Sequence, residues 1–534
     1  MSASINEKKF DPELNAQGVA HHETLSDKEL LQASYEAETR ENEMGVWEAV
    51  KDHPMACFWA FVFCFTIVME SFDMFLNGNF VALTAFKQRY GSLLADGTTR
   101  AISTKWQSSL FQAGQCGAFV GVFLAGPITN RVGYKNCTLL ALVIMILTIF
   151  ISFFANSLEV LVIGQAFEGV PWGMFIANSP AYASEVVPVA LRGVCTATLQ
   201  MSWSIGSIIV AAACLGFNGR MDEWAWRGPL ALQWIFPLPL LVLIFFAPES
   251  PWWLVRNGKK EQALRSIKRL GSRNGTQASA DETLAMIERT VEIEAHLGGD
   301  PSLLDLIKGV DLRRTLITCL IYASQNFAGN LIANQATFFF EQAGMSTDFS
   351  FKLNLINSCL QLVANALSWP LSAWFGRRTI FLGGALVNMI LLIILGICAT
   401  ITQSVSTNYA QACLGVIISF VFAGSLGPIS YSIIAETSSI RLRPLSTGVG
   451  RAAYYVAEIP MIYLASQMLN PTGWNMAGKC GYVWGGTAFV CLVSAYFGLP
   501  EMKGRSYREL DILFKRKVPA RKFKSTIISV DENE

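Results

Sequence analysis

The chain has 534 residues, 52% of them hydrophobic and 15% charged, with a formal net charge of +1 at neutral pH. Soluble domains carry about 25% charged residues, whereas here the apolar residues fall in blocks of about 20, the length a helix needs to cross a bilayer. That composition excludes an ordinary soluble domain, and the near-zero net charge says nothing about partners because the charges are sorted by position along the chain.

Residues 1–54 are polar and acid-rich, and read as a cytoplasmic, largely disordered tail with helical propensity near Ser26–Glu48. No cleavable signal peptide is evident, so the first span is expected to act as its own insertion signal. That span, 57–78, reads CFWAFVFCFTIVMESFDMFLNG and carries two acids, Glu70 and Asp73. Three residues apart, they share one helix face. A charged acid at mid-membrane costs roughly 3 kcal/mol on insertion scales, so such residues face a polar interior or titrate.

Spans two to six are expected at 108–128, 137–156, 159–180, 194–216 and 229–247, completing an N-terminal bundle over 55–247. A charged linker, 248–314, has no stretch long enough to cross, but KKEQALRSIKRL and ETLAMIERTVEIEAHL have helical periodicity. Short amphipathic helices along the membrane surface are expected there. Six more spans, 315–337, 352–374, 379–400, 410–434, 447–468 and 480–499, make a C-terminal bundle over 315–500, followed by a cytoplasmic tail, 501–534. The basic residues of alternate loops fall on one side if both termini are cytoplasmic. The expectation is an all-α membrane protein of twelve transmembrane helices in two six-helix bundles, the architecture in which a midplane cavity alternates between faces.

The 12 cysteines mostly sit inside apolar spans without metal-ligand spacing, and read as small apolar filler. With four histidines, three of them in the N-terminal tail, and no nucleophile–base pair, the chain is not expected to be an enzyme. No metal, cofactor or nucleic-acid partner is expected, and the expected oligomeric state is a monomer.

Two pairs of motifs echo between the halves. NRVGYK after span two and AWFGRR after span eight each place a glycine two residues before a basic residue, Gly133/Lys135 and Gly376/Arg378; two unrelated loops obeying the same charge bias is the alternative. Glu185 and Arg192 end span four, and Glu436, Arg441 and Arg443 follow span ten. With Arg131 and Arg377 they are candidates for a cytoplasmic gate that pairs across the bundles, or else they anchor helix ends at the headgroups.

Together with APESPWWLVRNGKK and GLPEMKGRSYREL at the ends of the two halves, these motifs resemble the sugar porter family of the major facilitator superfamily. MESFDMFL, GVPWGMF, AYASEVVP, SQNFAGN and GPISYSIIAETSSIRLRP are similar to the fungal maltose/α-glucoside permeases. The resemblance covers about residues 55–515 and implies proton-coupled symport of a disaccharide or related oligosaccharide across the plasma membrane. It places proton coupling on Glu70, Asp73 and Arg451, and sugar binding on Gln200, Gln325, Asn326, Tyr431, Tyr454 and Tyr455. Amides and phenols suit sugar hydroxyls, and rings suit sugar C–H faces; helix–helix glue is the alternative role. The chain departs from the family pattern at Ala118, where span two usually carries an acid, and at Asn130, where the loop motif has an aspartate. The first departure keeps a passive facilitator, or a transporter-like sugar sensor, open beside the symporter.

Overall fold

The computed structural model describes residues 46–526, apart from short stretches at 95–96, 98, 272–276, 297–302, 329–333, 402–403, 440–441, 504 and 506. Its first half contains α1 (Pro54–Phe80), α2 (Thr104–Val132), α3 (Tyr134–Phe153), α4 (Leu158–Val186), α5 (Val189–Phe217) and α6 (Trp224–Phe245). The second half contains α7 (Gly309–Phe327), α8 (Thr347–Trp374), α9 (Arg377–Thr400), α10 (Val405–Thr437), α11 (Arg443–Leu469) and α12 (Cys480–Gly498). Among the described residues nine of these helices are long and apolar enough to cross a membrane. The other three, α7, α8 and α11, hold buried polar residues such as Asn326, Asn357 and Arg451. Polar side chains within a span turn toward the bundle interior, which is where these three helices bury theirs.

Two spans are interrupted. In α6 a 3₁₀ turn, Gln233–Ile235, precedes Pro237, whose ring removes a backbone donor and breaks the α ladder. In α10 the break falls at Ser425, with φ −131° and ψ −77°. Broken helices at membrane depth are tolerated where protein or a cavity takes the freed backbone groups.

Helix α7 begins at Gly309, ahead of the expected 315, because its first-turn arginines have partners. Arg314 reaches Asp511 at 2.5 Å, and Arg313 donates to the Val518 carbonyl at 2.8 Å. In the linker, Pro251–Arg256, Lys260–Leu270 and Gln277–His296 are helical. Trp253, Leu254, Ala263, Ile267 and Ile287 form a small core of their own, so these amphipathic helices turn their apolar faces on one another. We call the end of the molecule that carries this linker the linker end, and the opposite end the far end.

The glycine echo has a shared physical cause. Gly133, at φ +93°, leaves room for the Glu249 carboxylate, which accepts from the backbone N–H of Tyr134 at 3.0 Å and of Lys135 at 3.2 Å. A side chain at Gly376 would collide with the Glu501 carboxylate in the same way. Each half thus docks the acid that follows its last span against the start of its third helix. Helices α2 and α4 meet backbone to backbone: a Cβ on Gly117 would strike the Ala166 carbonyl, and one on Gly173 the carbonyl of Ala118.

Candidate functional site

Glu70 and Asp73 both lie in the fully buried middle of α1, 3% and 0% exposed. Trp172 of α4 donates its indole N–H to Asp73 Oδ2 at 3.3 Å, while Asp73 Oδ1 and Glu70 Oε2 have no partner. Two further acids complete the centre. Glu168 of α4 is 0% exposed. It accepts from Ser152, from Gln165 Nε2 at 3.0 Å, and from Gln233 Nε2 at 3.4 Å. Gln233 sits in the break of α6. Glu458 of α11 is likewise 0% exposed and accepts from Tyr454 Oη at 3.2 Å.

Arg451 stands two helical turns before Glu458 and is 5% exposed. Its guanidinium lies 4.4 Å from the Tyr454 ring centroid and 5.1 Å from that of Tyr455, within the range of a cation–π contact. Asp73 is held on the α4 side by Trp172, while the Arg451 guanidinium is seated against the Tyr454 and Tyr455 rings of its own helix. The centre therefore contains four buried carboxyls, Glu70, Asp73, Glu168 and Glu458, against one guanidinium.

The expected sugar ligands occupy buried or half-buried positions of α5, α7, α10 and α11. The Gln200 amide lies beside the α10 break, where a Cβ on Gly427 would be 3.2 Å from Nε2. Tyr431 meets Tyr322 edge to face at 6.2 Å between centroids. Asn326 donates to the Tyr454 carbonyl at 3.2 Å, but its Oδ1, Gln325 Nε2 and Tyr455 Oη are buried without partners. Asn357 of α8, 1% exposed, has neither side-chain atom paired. Buried polar atoms are ordinarily hydrogen-bonded, and these belong to three of the expected sugar ligands and to Asn357. Between α1, α2, α4 and α11 a void of about 20 Å³ remains, lined by Asn77, Gln115, Trp172 and Gln335 among others. Small-molecule sites occupy about 300–1,000 Å³, so the two halves are closed on each other here.

The bonds that close them concentrate at mid-depth and toward the far end. At mid-depth Ser207 meets Ser358 at 2.7 Å, and Asn365 donates to Ser204 at 2.6 Å. Toward the far end Asn79 accepts from Thr337 at 2.7 Å, Thr104 meets Thr472 at 2.8 Å, and Gln112 donates to the Ile459 carbonyl at 3.1 Å. There too Lys87 pairs with Glu341 at 2.5 Å. At the linker end Glu185 pairs with Arg256 of the linker at 3.2 Å, and Glu436 with Arg377 of α9 at 3.0 Å. Arg131 is exposed at the end of α2. Arg441 lies outside the described residues, and Arg192 and Arg443 are described only as backbone of α5 and α11.

Glu168, Glu458, Gln233 and Asn357 were not singled out from sequence. Glu168 and Glu458 carried a legible signal, an acid inside an apolar or spanning stretch. Gln233 acquires its place only through the break in α6, and Asn357 through the packing of α8.

Comparison with known proteins agrees with this architecture. The family model described as "Sugar (and other) transporter" matches residues 59–514. The maltose permease MAL31 of Saccharomyces cerevisiae is 34% identical over 503 residues, covering 93% of this chain and 82% of that protein. A general alpha-glucoside permease of S. cerevisiae is 35% identical over 498 residues, 92% and 80% of the two chains. Among solved structures, the inward-open xylose transporter XylE from E. coli superposes with a TM-score of 0.69 at 19% identity, over 86% of this chain and 99% of that one.

Proposed function

The chain belongs to the sugar transporter family of the major facilitator superfamily, and from that premise we propose that it is a proton-coupled symporter importing an α-glucoside such as maltose, or a related oligosaccharide. It works by alternating access in the plasma membrane, with both termini and the linker in the cytoplasm. The named substrates of its relatives support the ligand class. The observation that carries the coupling is the buried centre of four carboxyls and one guanidinium. Taking that many charges out of water together is costly unless they are paired, so the centre changes charge by taking up and releasing protons.

Outside the cell, a proton enters the α1–α4 acids and removes a buried negative charge. Sugar then bridges Gln200 on the N-terminal half and Gln325, Asn326, Tyr431 and Tyr455 on the C-terminal half, with Asn357 as an added partner. These contacts need both halves closed, and so they bias the two-state element. The far-end bonds from Asn79, Thr104 and Lys87 act as the extracellular seal. Once the linker end opens, sugar leaves and the proton follows, drawn toward the negative interior. One proton moving down 100 mV releases about 2.3 kcal/mol, enough at 1.4 kcal/mol per tenfold for roughly fifty-fold accumulation of a neutral sugar.

Ala118 favours a second reading, a passive facilitator, since span two lacks its usual acid. Glu168 supplies a third carboxyl beside Glu70 and Asp73, however, and restores the count from α4. Recording external pH while adding a panel of disaccharides to cells lacking their own carriers tests the two. Alkalinisation with one sugar supports symport and names the substrate. Uptake without a pH change makes the protein a facilitator, and neither signal from surface-expressed protein makes it a sensor.

A further inference from the structure

A groove of about 1110 Å³ lies on the outer surface of the C-terminal half, between the linker-end portions of α9 and α12. Its walls are apolar, with Leu382 and Leu386 from α9 facing Leu492, Val493 and Phe497 from α12. Leu386 and Phe497 are 44% and 63% exposed, which for a membrane-spanning pair of helices means exposed to lipid tails.

The mouth of the groove is cationic. Arg378, Lys503, Arg521 and Lys524 line it, with Glu501 as the one acid among its lining residues. Glu501 is already committed: it packs against Gly376 and accepts from the backbone N–H of Lys503 at 3.2 Å. The cations are built in place. The C-terminal segment folds back so that the Arg521 guanidinium sits 4.3 Å from the Tyr496 ring centroid and 4.5 Å from that of Phe497. Arg378 donates to the Tyr496 carbonyl at 2.8 Å, and its Nε is buried without a partner. The rings that wall the groove thus hold the charges at its entrance. An apolar trough at hydrocarbon depth, opening on clustered Arg and Lys at headgroup depth, is complementary to one kind of molecule.

We propose that this groove is a binding site for an anionic phospholipid, its acyl chains lying between α9 and α12 and its phosphate held by Arg378, Arg521 and Lys524. A free phosphate ion would satisfy the mouth alone and leave the apolar walls without a role; the walls decide for the lipid.

The two parts of the site separate experimentally. Gly383 lines the groove, and a Cβ there would meet nothing within 4 Å, so Gly383→Phe fills the trough while leaving every cation in place. Arg521→Gln with Lys524→Gln removes charge from the mouth and leaves the trough. Full-length protein is reconstituted in nanodiscs of phosphatidylcholine containing one-tenth phosphatidylserine, re-extracted, and its retained lipid is weighed by native mass spectrometry. Wild type is expected to keep phosphatidylserine at least fivefold above its share of the mixture. Each variant is expected to lose that enrichment while keeping the melting temperature of wild type in pure phosphatidylcholine. Inorganic phosphate at millimolar concentration should leave the wild-type enrichment unchanged. No enrichment in wild type, enrichment that survives Gly383→Phe, or displacement by inorganic phosphate would each overturn the proposal. A loss of enrichment equally produced by Lys352→Gln, a cation at the far end of α8, would do the same, since it would reduce the effect to general surface charge.

Discussion

Glu341→Gln cuts an ion pair that ties the two halves together at the far end. Lys87 Nζ lies 2.5 Å from Glu341 Oε1, the side chains are 16% and 17% exposed, and Thr347 donates to the same carboxylate oxygen at 3.0 Å. A fully exposed pair would be worth at most about 1 kcal/mol. Two unit charges about 4 Å apart at an effective dielectric of 20 attract by about 4 kcal/mol. With roughly one-sixth of each side chain in solvent, and desolvation opposing the attraction, about 2 kcal/mol is a reasonable net value. The pair exists only while the far end is closed, so its loss moves the open–closed equilibrium by about thirtyfold at 1.4 kcal/mol per tenfold. Gln115 lines the small central void and is 4% exposed, which makes Gln115→Cys a reporter of that opening. In a background without reactive cysteines, a charged, membrane-impermeant thiol reagent applied outside the cell should label it about thirty times faster when Glu341→Gln is present. Lys87→Gln should give the same acceleration, and the double variant no more than either single one. Equal labelling in all four proteins would refute the assignment of the seal, and additive effects would refute the pair.

Asp73→Asn should abolish uphill accumulation while sugar exchange continues; unchanged accumulation would remove Asp73 from coupling. Glu168→Gln should act in the same direction, because it removes another fully buried carboxyl of the same centre; an accumulation ratio equal to wild type would return the facilitator question to Ala118. Gln200→Ala should raise the half-saturation constant about tenfold, the loss of one or two hydrogen bonds to sugar, at unchanged surface expression, and a normal constant would take Gln200 out of the site. At the linker end, burial pushes the Glu249 carboxyl up to about 7, against the pull of the backbone N–H groups of Ser250, Lys135 and Tyr134, with Glu185 adding to the rise. A carboxyl raised in the fold is protonated there while still ionised in the unfolded chain, so stability falls as pH climbs from the unfolded value near 4.5 through 7. The span corresponds to roughly 3 kcal/mol at 1.36 kcal/mol per unit. Melting temperatures of purified protein from pH 5 to 8 should therefore decline in wild type and flatten in Glu249→Gln; parallel curves would refute the assignment.

Much of this molecule was legible because membrane insertion is a coarse, composition-driven sorting. Twenty apolar residues announce a span whatever they pack against, and the glycine–basic echo reported the Glu249 and Glu501 docks before their partners were known. What stayed hidden depends on three-dimensional sharing. Nothing local to Gln233 says that a 3₁₀ turn before Pro237 will aim its amide at Glu168 of α4. The same holds for Arg451: the sequence shows that a buried guanidinium needs partners, but its seat against the Tyr454 and Tyr455 rings is set by packing. Glu168 was a different case. The intramembrane acid in QAFEGVPWG is readable by the same rule as Glu70, an acid inside a spanning stretch.

That missing acid has a steric side. Ala118 is 1% exposed and sits in the seam where α2 and α4 press main chain to main chain, its own carbonyl occupying the space a side chain on Gly173 would need. Gly117, Gly121, Gly169 and Gly173 leave no side chain in that contact that could change rotamer, so α2 and α4 are expected to travel as one rigid unit in any rearrangement of the two halves.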